Sequence, residues 1–274
     1  LLLRATTIMK ILRLGQSLCS SGSIGGAFSK YSCLFDGIDA HVRIEDSALL
    51  RPESALTVSF WVRPSSWTQV PFGVEQFMIG CVKSGGWGVY LTKQGGNSYL
   101  RFRIRVSDID PACSGSAQYL TAEVGYVQTE ALPEWVNVVA RYENGRASLR
   151  YNTLSTGTVD GIGCPSATIV YHPSPVPVFI GADSASPTSA SNFFEGNIDE
   201  VAIFNTSLTV DDYTSIYNDG SPGDISAIVG LQGWWRMGDP NGQASFPTLI
   251  DNSVNENDGT MTDMIAADIE TVVP

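Results

Sequence analysis

Positive charge is scarce in this chain. Its 274 residues carry 16 Lys and Arg against 28 Asp and Glu, a formal net charge of −12. Duplex nucleic acid and anionic bilayers both reward the opposite sign, so neither is expected as a partner. Divalent cations remain compatible with such a surface. Histidine is nearly missing: His41 and His172 lie far apart without metal-ligand spacing, and neither is given a role. No Ser-His-Asp set, phosphate loop or HExxH is present. Long apolar runs are also missing. The most hydrophobic stretch, residues 1–18 (LLLRATTIMKILRLGQSL), is too short and too interrupted to span a bilayer, so no membrane insertion is expected. It lacks the clean apolar core and cleavage site of a signal peptide. Met9 is a candidate natural start, with residues 1–8 an upstream extension. The five cysteines, Cys19, Cys33, Cys81, Cys113 and Cys164, fit neither a zinc site nor a CxxC motif. An odd number leaves at least one thiol free, and most read as small buried hydrophobes. Cys113 and Cys164, both in loop-like sequence, are one pair that could bridge.

What is present is β-forming sequence. Hydrophobic residues make up 43%, enough for a sizeable core, while charged residues reach only 16% and Ser, Thr, Gly and Asn abound. ALTVSFWVRP alternates cleanly, with Leu56, Val58, Phe60 and Val62 on one face and Thr57, Ser59, Trp61 and Arg63 on the other. GGWGVYLTKQGGNSYLRFRIRVSD reads as a hairpin with Gln94-Gly95-Gly96-Asn97 at its tip. Leu100, Phe102, Ile104 and Val106 face the core, and Tyr99, Arg101, Arg103 and Arg105 face away. In EWVNVVARYENGRASLRYN, Asn144-Gly145 supplies the positive φ angles of a tight turn. PVPVFIGAD and EGNIDEVAIFN are further strands. One helix interrupts them: in LTVDDYTSIYNDG, Thr209 caps, Asp212 completes a capping-box spacing and Gly220 stops the turn. No fixed-period repeat is seen. Many short strands with one small helix imply an all-β, two-sheet antiparallel sandwich or jelly roll.

Three ordered segments resemble the concanavalin A-like lectin/glucanase superfamily, in its laminin-G-like (LamG) branch. They are LFDGIDAHVRIEDSALLRPESALTVSFWVRP, EWVNVVARYENGRASLRYN and FFEGNIDEVAIFNTSLTVDDYTSIYNDG. The likeness covers roughly residues 31–220, leaving an N-terminal arm (1–30) and a C-terminal strand and tail (221–274). The tail, GLQGWWRMGD…LIDNSVNENDGTMTD, looks like the segment that normally begins such a module; it either completes the sandwich or docks on a neighbour. A LamG body with this tail also resembles virion proteins of marine tailed bacteriophages. The fold hosts enzymes, lectins and inert modules, so fold alone does not name an activity.

Asp199 and Glu200 open the run EGNIDEVAIFN with three readings. For catalysis, adjacent strand residues point to opposite faces and cannot flank one bond, and the superfamily's glucanase run of spaced acids is missing, so no enzyme activity is expected. For a metal, the resemblance implies a structural calcium held by Asp199 with help near Asp36 or Asp39. For structure, Asp199 bonds backbone amides of the preceding turn while Glu200 lies on the less buried face. The stripe Tyr99, Arg101, Arg103 and Arg105 either grips an acidic glycan or acidic subunit, or pairs across the sheet with acids. Trp61, Trp67 and Trp87 are candidates to stack on sugars; Trp135, Trp234 and Trp235 read as core anchors. Asn205-Thr206-Ser207 is a glycosylation sequon that matters only in a secretory host. The leading expectation is a virion surface protein, as capsid decoration or tail or fibre component. Its basic arm (Arg4, Lys10, Arg13, no acid) and its tail would contact other virion proteins or copies of itself. The alternative is a secreted or viral carbohydrate-binding module recognising cell-surface glycans.

Overall fold

A computed structural model of the chain describes residues 28–82, 85–107, 118–126, 135–152, 158–159, 161–162, 164–186 and 188–274. Residues 1–27, Cys19 and Cys113 therefore lie outside the described residues, and with them nearly all of the basic arm. Cys33 and Cys81 are free and buried. Cys164 is disulfide-bonded, to a cysteine outside the described residues.

In chain order the strands are β1 (Ser32–Asp36), β2 (His41–Ile44), β3 (Ala55–Pro64), β4 (Glu75–Gly80), β5 (Trp87–Gln94), β6 (Asn97–Val106) and β7 (Gln118–Tyr126). There follow β8 (Val136–Glu143), β9 (Arg146–Tyr151), β10 (Thr158–Val159), β11 (Gly161–Ile162), β12 (Val178–Ile180), β13 (Asp183–Ser186), β14 (Ser189–Ser191) and β15 (Glu195–Phe204). Helix α1 (Val210–Tyr217) precedes β16 (Leu231–Trp235), β17 (Thr248–Leu249), β18 (Gly259–Thr262) and β19 (Ile269–Glu270). Sheet A runs β11-β9-β8-β3-β15-β1-β19, with β16 also on β15; sheet B runs β10-β7-β6-β5-β4-β12-β2-β18-β17. This is the expected antiparallel two-sheet sandwich with one short helix.

Period-2 patterning sets the layers. On β6, Leu100, Phe102, Ile104 and Val106 are fully buried while Tyr99 and the three arginines between them are half-buried. The inner faces of β3, β5, β6 and β8 meet in one core with Trp87, Trp235, Phe35 and Phe60. At the β8–β9 turn Asn144 and Gly145 both take positive φ (50° and 73°). A Cβ on Gly145 would also lie 2.0 Å from the Cys164 carbonyl oxygen, so glycine is required twice over. The α1 capping box forms as spaced: the Thr209 hydroxyl accepts from Asp212 N–H and the Asp212 carboxylate accepts from Thr209 N–H. Asn218, in left-handed conformation, closes the helix two residues before Gly220.

Part of the outer face of sheet A is covered. Helix α1 and the chain after it cover it, and Tyr213, Ile216 and Ile225 pack on Val139, Ala202, Phe204 and Trp234. Thr57, Ser59 and Trp61 are thus buried although they sit on the polar face of β3. The C-terminal segment contributes to both sheets. β16 pairs with β15, β19 with β1, and β18 with β2.

Candidate functional site

The carboxylates of Asp199 and Glu200 sit where β15 changes partners. Its first half pairs with β1, up to Ile198 opposite Cys33; its second half pairs with β16, from Val201 opposite Trp235. On the other edge the register to β3 shifts between Asp199 and Ala202, a β-bulge. Glu200 takes a left-handed φ of 49° to make it. The bulge breaks the alternation expected of adjacent residues: Asp199 lies opposite Trp61 and Ala202 opposite Ser59, both outer-face residues, while Ile198 and Val201 enter the core. Both carboxylates therefore lie on the outer side of sheet A, and both are buried, Glu200 included.

Their partners come from the two flanking segments. Asp199 Oδ2 accepts from Ser29 Oγ at 2.5 Å, and its Oδ1 accepts from Glu200 N–H at 2.7 Å, in place of amides of the preceding turn. Glu200 accepts from Trp234 Nε1 at 2.6 Å and from Arg236 Nε at 3.1 Å. The Arg236 guanidinium lies over the rings of Phe28 and Trp234 and donates to the Phe28 carbonyl. Asp239 accepts from Lys30 N–H at 2.8 Å. Burial pushes the Glu200 carboxyl up to about 7 against the pull of Arg236. Burial, then the Glu200 charge, pushes Asp199 well above the usual carboxylate range. The cluster ties the start of the described chain and the end of β16 to the seam in β15.

Asp36 and Asp39 are not part of it. Asp36 pairs with Glu195, four residues from Asp199 and about 13 Å away along the strand. Asp36 Oδ1 is occupied by the N–H groups of Ile38, Asp39 and Ala40, which hold its carboxyl below the usual range despite some desolvation. Both Asp199 oxygens are already engaged. The three residues do not fit a shared calcium ion, and among the described residues no group of three or more His, Cys, Asp or Glu is arranged to hold a metal.

The arginine stripe on β6 takes the paired form. Arg101 lies directly opposite Glu123 on β7 and binds it at 2.9 Å. Arg103 reaches both oxygens of Glu75 at 3.1 Å and lies over Tyr90, Phe77 and Tyr119. Arg105 lies over Tyr119, and Tyr99 sits under Arg101. Two of the expected sugar-stacking tryptophans are buried: Trp87 fully, and Trp61 against Tyr217 at 5.8 Å. Trp67 is half-buried on the core.

Sequence reasoning passed over a cleft at one end of the sandwich, between the sheets. It measures about 310 Å³ and is lined by Ser65, Ser66, Gln69, Gln76 and Glu195, with Val70 and Pro71. Glu195 begins β15 in sheet A, and Gln76 belongs to β4 in sheet B. The loop between β3 and β4 forms one wall. Val70 is buried and anchors it, Ser66 Oγ caps the N–H groups of Thr68 and Gln69, and Lys93 Nζ donates to Thr68 O. The loop leaves Phe72 74% exposed beside the cleft. Across it, the Gly37 turn packs on Glu195 and presents Ile38, 72% exposed. No motif marks this site; its sequence signal is a loop of mixed polarity carrying two aromatics, Trp67 and Phe72.

Among solved structures, the chain is similar to a "putative carbohydrate binding protein" from Bacteroides ovatus (TM-score 0.59, 13% identity), covering 89% of this chain and 60% of that one. It is also similar to a heptameric SAP-like pentraxin from Limulus polyphemus (TM-score 0.46, 15% identity, 70% and 84% covered). No curated protein matches. A family model described as concanavalin A-like lectin/glucanases superfamily (Laminin_G_3) matches residues 36–212. That span takes in both cleft walls and the bulge of β15, and stops before β16. With the sandwich, its strand order and this match in hand, the chain belongs to the concanavalin A-like lectin/glucanase superfamily.

Proposed function

We propose that this domain binds carbohydrate in the end cleft and does not cleave it. The cleft itself carries the reading. Sugar hydroxyls both donate and accept, and their ring faces are apolar. Gln69 and Gln76 offer both kinds of group, Glu195 accepts, Ser65 and Ser66 do either, Val70 and Pro71 supply apolar lining, and the exposed Phe72 follows Pro71 in the same loop. The name of the Bacteroides ovatus protein agrees with this use of the fold. Cleavage would need two facing carboxylates, and among the described residues lining the cleft Glu195 is the one acid. The Cys164 disulfide supports an oxidising location, secreted or on a particle. Display on a virion is the narrower form of this reading. Its sequence basis was the Trp-Trp-Arg-Met-Gly-Asp tail, and those residues pack within the chain's own sandwich, where Trp235 and Met237 are core and Arg236 and Asp239 join the seam.

The test is a glycan array followed by calorimetry. Gln76→Ala and Phe72→Ala should each weaken the best neutral ligand roughly tenfold, the size of one lost hydrogen-bonding or stacking contact. Unchanged affinity in both variants would move the site elsewhere.

A further inference from the structure

A second recess lies between α1 and the outer face of sheet A, lined by Asn137, Val139, Arg150, Asn152, Tyr213 and Tyr217 among others. Its volume is about 40 Å³, room for about three water-sized groups.

Its polar groups are left with a consistent set of free valences. The Arg150 guanidinium lies over the Tyr213 ring at 5.6 Å. It makes no ion pair with any described residue. Asn152 Oδ1 accepts from Asn137 N–H at 2.9 Å, which fixes the amide and leaves its Nδ2 donors free of that bond. Asn137 Nδ2 is directed to Phe60 O and Ser59 Oγ, leaving Oδ1 to accept. Behind them Arg141 donates to Ser148 Oγ and also acts on the Tyr213 hydroxyl, with no ion pair to a described carboxylate. Two guanidiniums without an ion-pair partner among the described residues contrast with Arg101 and Arg103, each matched to a glutamate. The first turn of α1 carries Asp211 and Asp212, and Asp212 is held in the capping box.

We propose that this recess takes the carboxylate of an acidic sugar. Arg150 and Asn152 Nδ2 donate to its oxygens, Asn137 Oδ1 accepts from a neighbouring hydroxyl, and Tyr217 with the exposed Val210 flanks the ring. A guanidinium fork matches a planar carboxylate, whose three heavy atoms suit the space; a tetrahedral sulfate has five. This inference rests on the saccharide reading and adds the charge of the ligand and a second contact point.

The experiment titrates the full chain with trigalacturonate and with its methyl ester, which is neutral but otherwise alike. The wild type should bind the acid form at least about tenfold tighter, and the preference should shrink as salt rises. Arg150→Gln should abolish that preference, Arg150→Lys should keep part of it, and neither should move the melting temperature. Gln76→Ala should leave the preference intact while lowering affinity for both forms. Equal binding of acid and ester, or a preference that survives Arg150→Gln, overturns the inference. If only neutral glycans bind, and through the cleft, this inference falls while the cleft reading stands; if no saccharide binds, both fall.

Discussion

Arginine meets glutamate in two very different settings in this domain. On sheet B, Arg101–Glu123 and Arg103–Glu75 lie in the half-exposed outer face, with side chains 15–30% accessible. At the seam of β15, Arg236 meets Glu200 with 14% and 5% of their side chains accessible. The chemistry is the same and the surroundings differ. Water screens the sheet B pairs, so each contributes at most about 1 kcal/mol. At the seam, desolvation opposes ionisation so strongly that Glu200 rises to about 7. What the seam provides is attachment, since Ser29, Lys30, Trp234 and Arg236 are all held there. A salt bridge is thus read by what surrounds it.

The largest expected effect is a direct contrast between the two settings. Arg236→Ala leaves a buried carboxylate without its cation and removes the guanidinium packed against the stacked Phe28 and Trp234 rings. It should cost about 3–5 kcal/mol in urea unfolding. Arg101→Ala should cost about 1 kcal/mol or less. Equal losses for the two variants would erase the distinction.

The second effect is a pH slope. Glu200 titrates near 7 when folded against an ordinary 4.5, so the folded state holds its proton more tightly. Stability from this group is fully present below about pH 4.5 and is lost as pH rises through about 7. Asp183, pushed by burial to about 6, acts in the same direction. Asp199, raised chiefly by burial, adds to the loss in the same direction; from Glu200 and Asp183 the expected loss from pH 5 to 8 is on the order of 4 kcal/mol. Glu200→Gln should flatten part of the slope and leave the shares of Asp183 and Asp199. Stability that rises over this interval in the wild type would contradict the burial assigned to Glu200.

The two settings were not equally legible in the sequence. Sheet B was open to reading because alternation on β6 and a Gly-Gly tip need only neighbouring residues. Asn144-Gly145 and Thr209 with Asp212 were legible for the same reason. The seam depends on a partner change between β1 and β16, strands nearly two hundred residues apart. The left-handed Glu200 carries no local mark, because nothing in Ile-Asp-Glu-Val announces a bulge. Reading period 2 straight through it placed Asp199 and Glu200 on opposite faces. The end cleft was missed because it is assembled from the end of β3 and the starts of β4 and β15. Leu231–Trp235 read as a strand, but only the fold shows that it pairs within its own sandwich.

The smallest expected effect tests whether the seam needs anything beyond protein groups. Among acids, Asp199 is the most deeply buried of the cluster, and a structural calcium was the natural expectation for it. In the fold its Oδ2 accepts from the Ser29 hydroxyl and its Oδ1 from the Glu200 amide, so protein groups already hold both oxygens. Burial, then the Glu200 charge, raises the Asp199 carboxyl well above the usual range, which disfavours a bare carboxylate there. The charge the seam needs is already supplied by Arg236. Excess EDTA should therefore leave the melting temperature unchanged within error, in the wild type and in Asp199→Asn alike. Asp199→Asn should itself cost only about 1 kcal/mol, because Asn keeps the shape, its Oδ1 can still accept from the Glu200 N–H, and the Ser29 hydroxyl can turn to accept from Nδ2. A melting temperature that falls several degrees on chelation and recovers with added calcium would overturn this. The loss of that response in Asp199→Asn would then place the ion at the seam and make the contrast with sheet B one of metal against solvent.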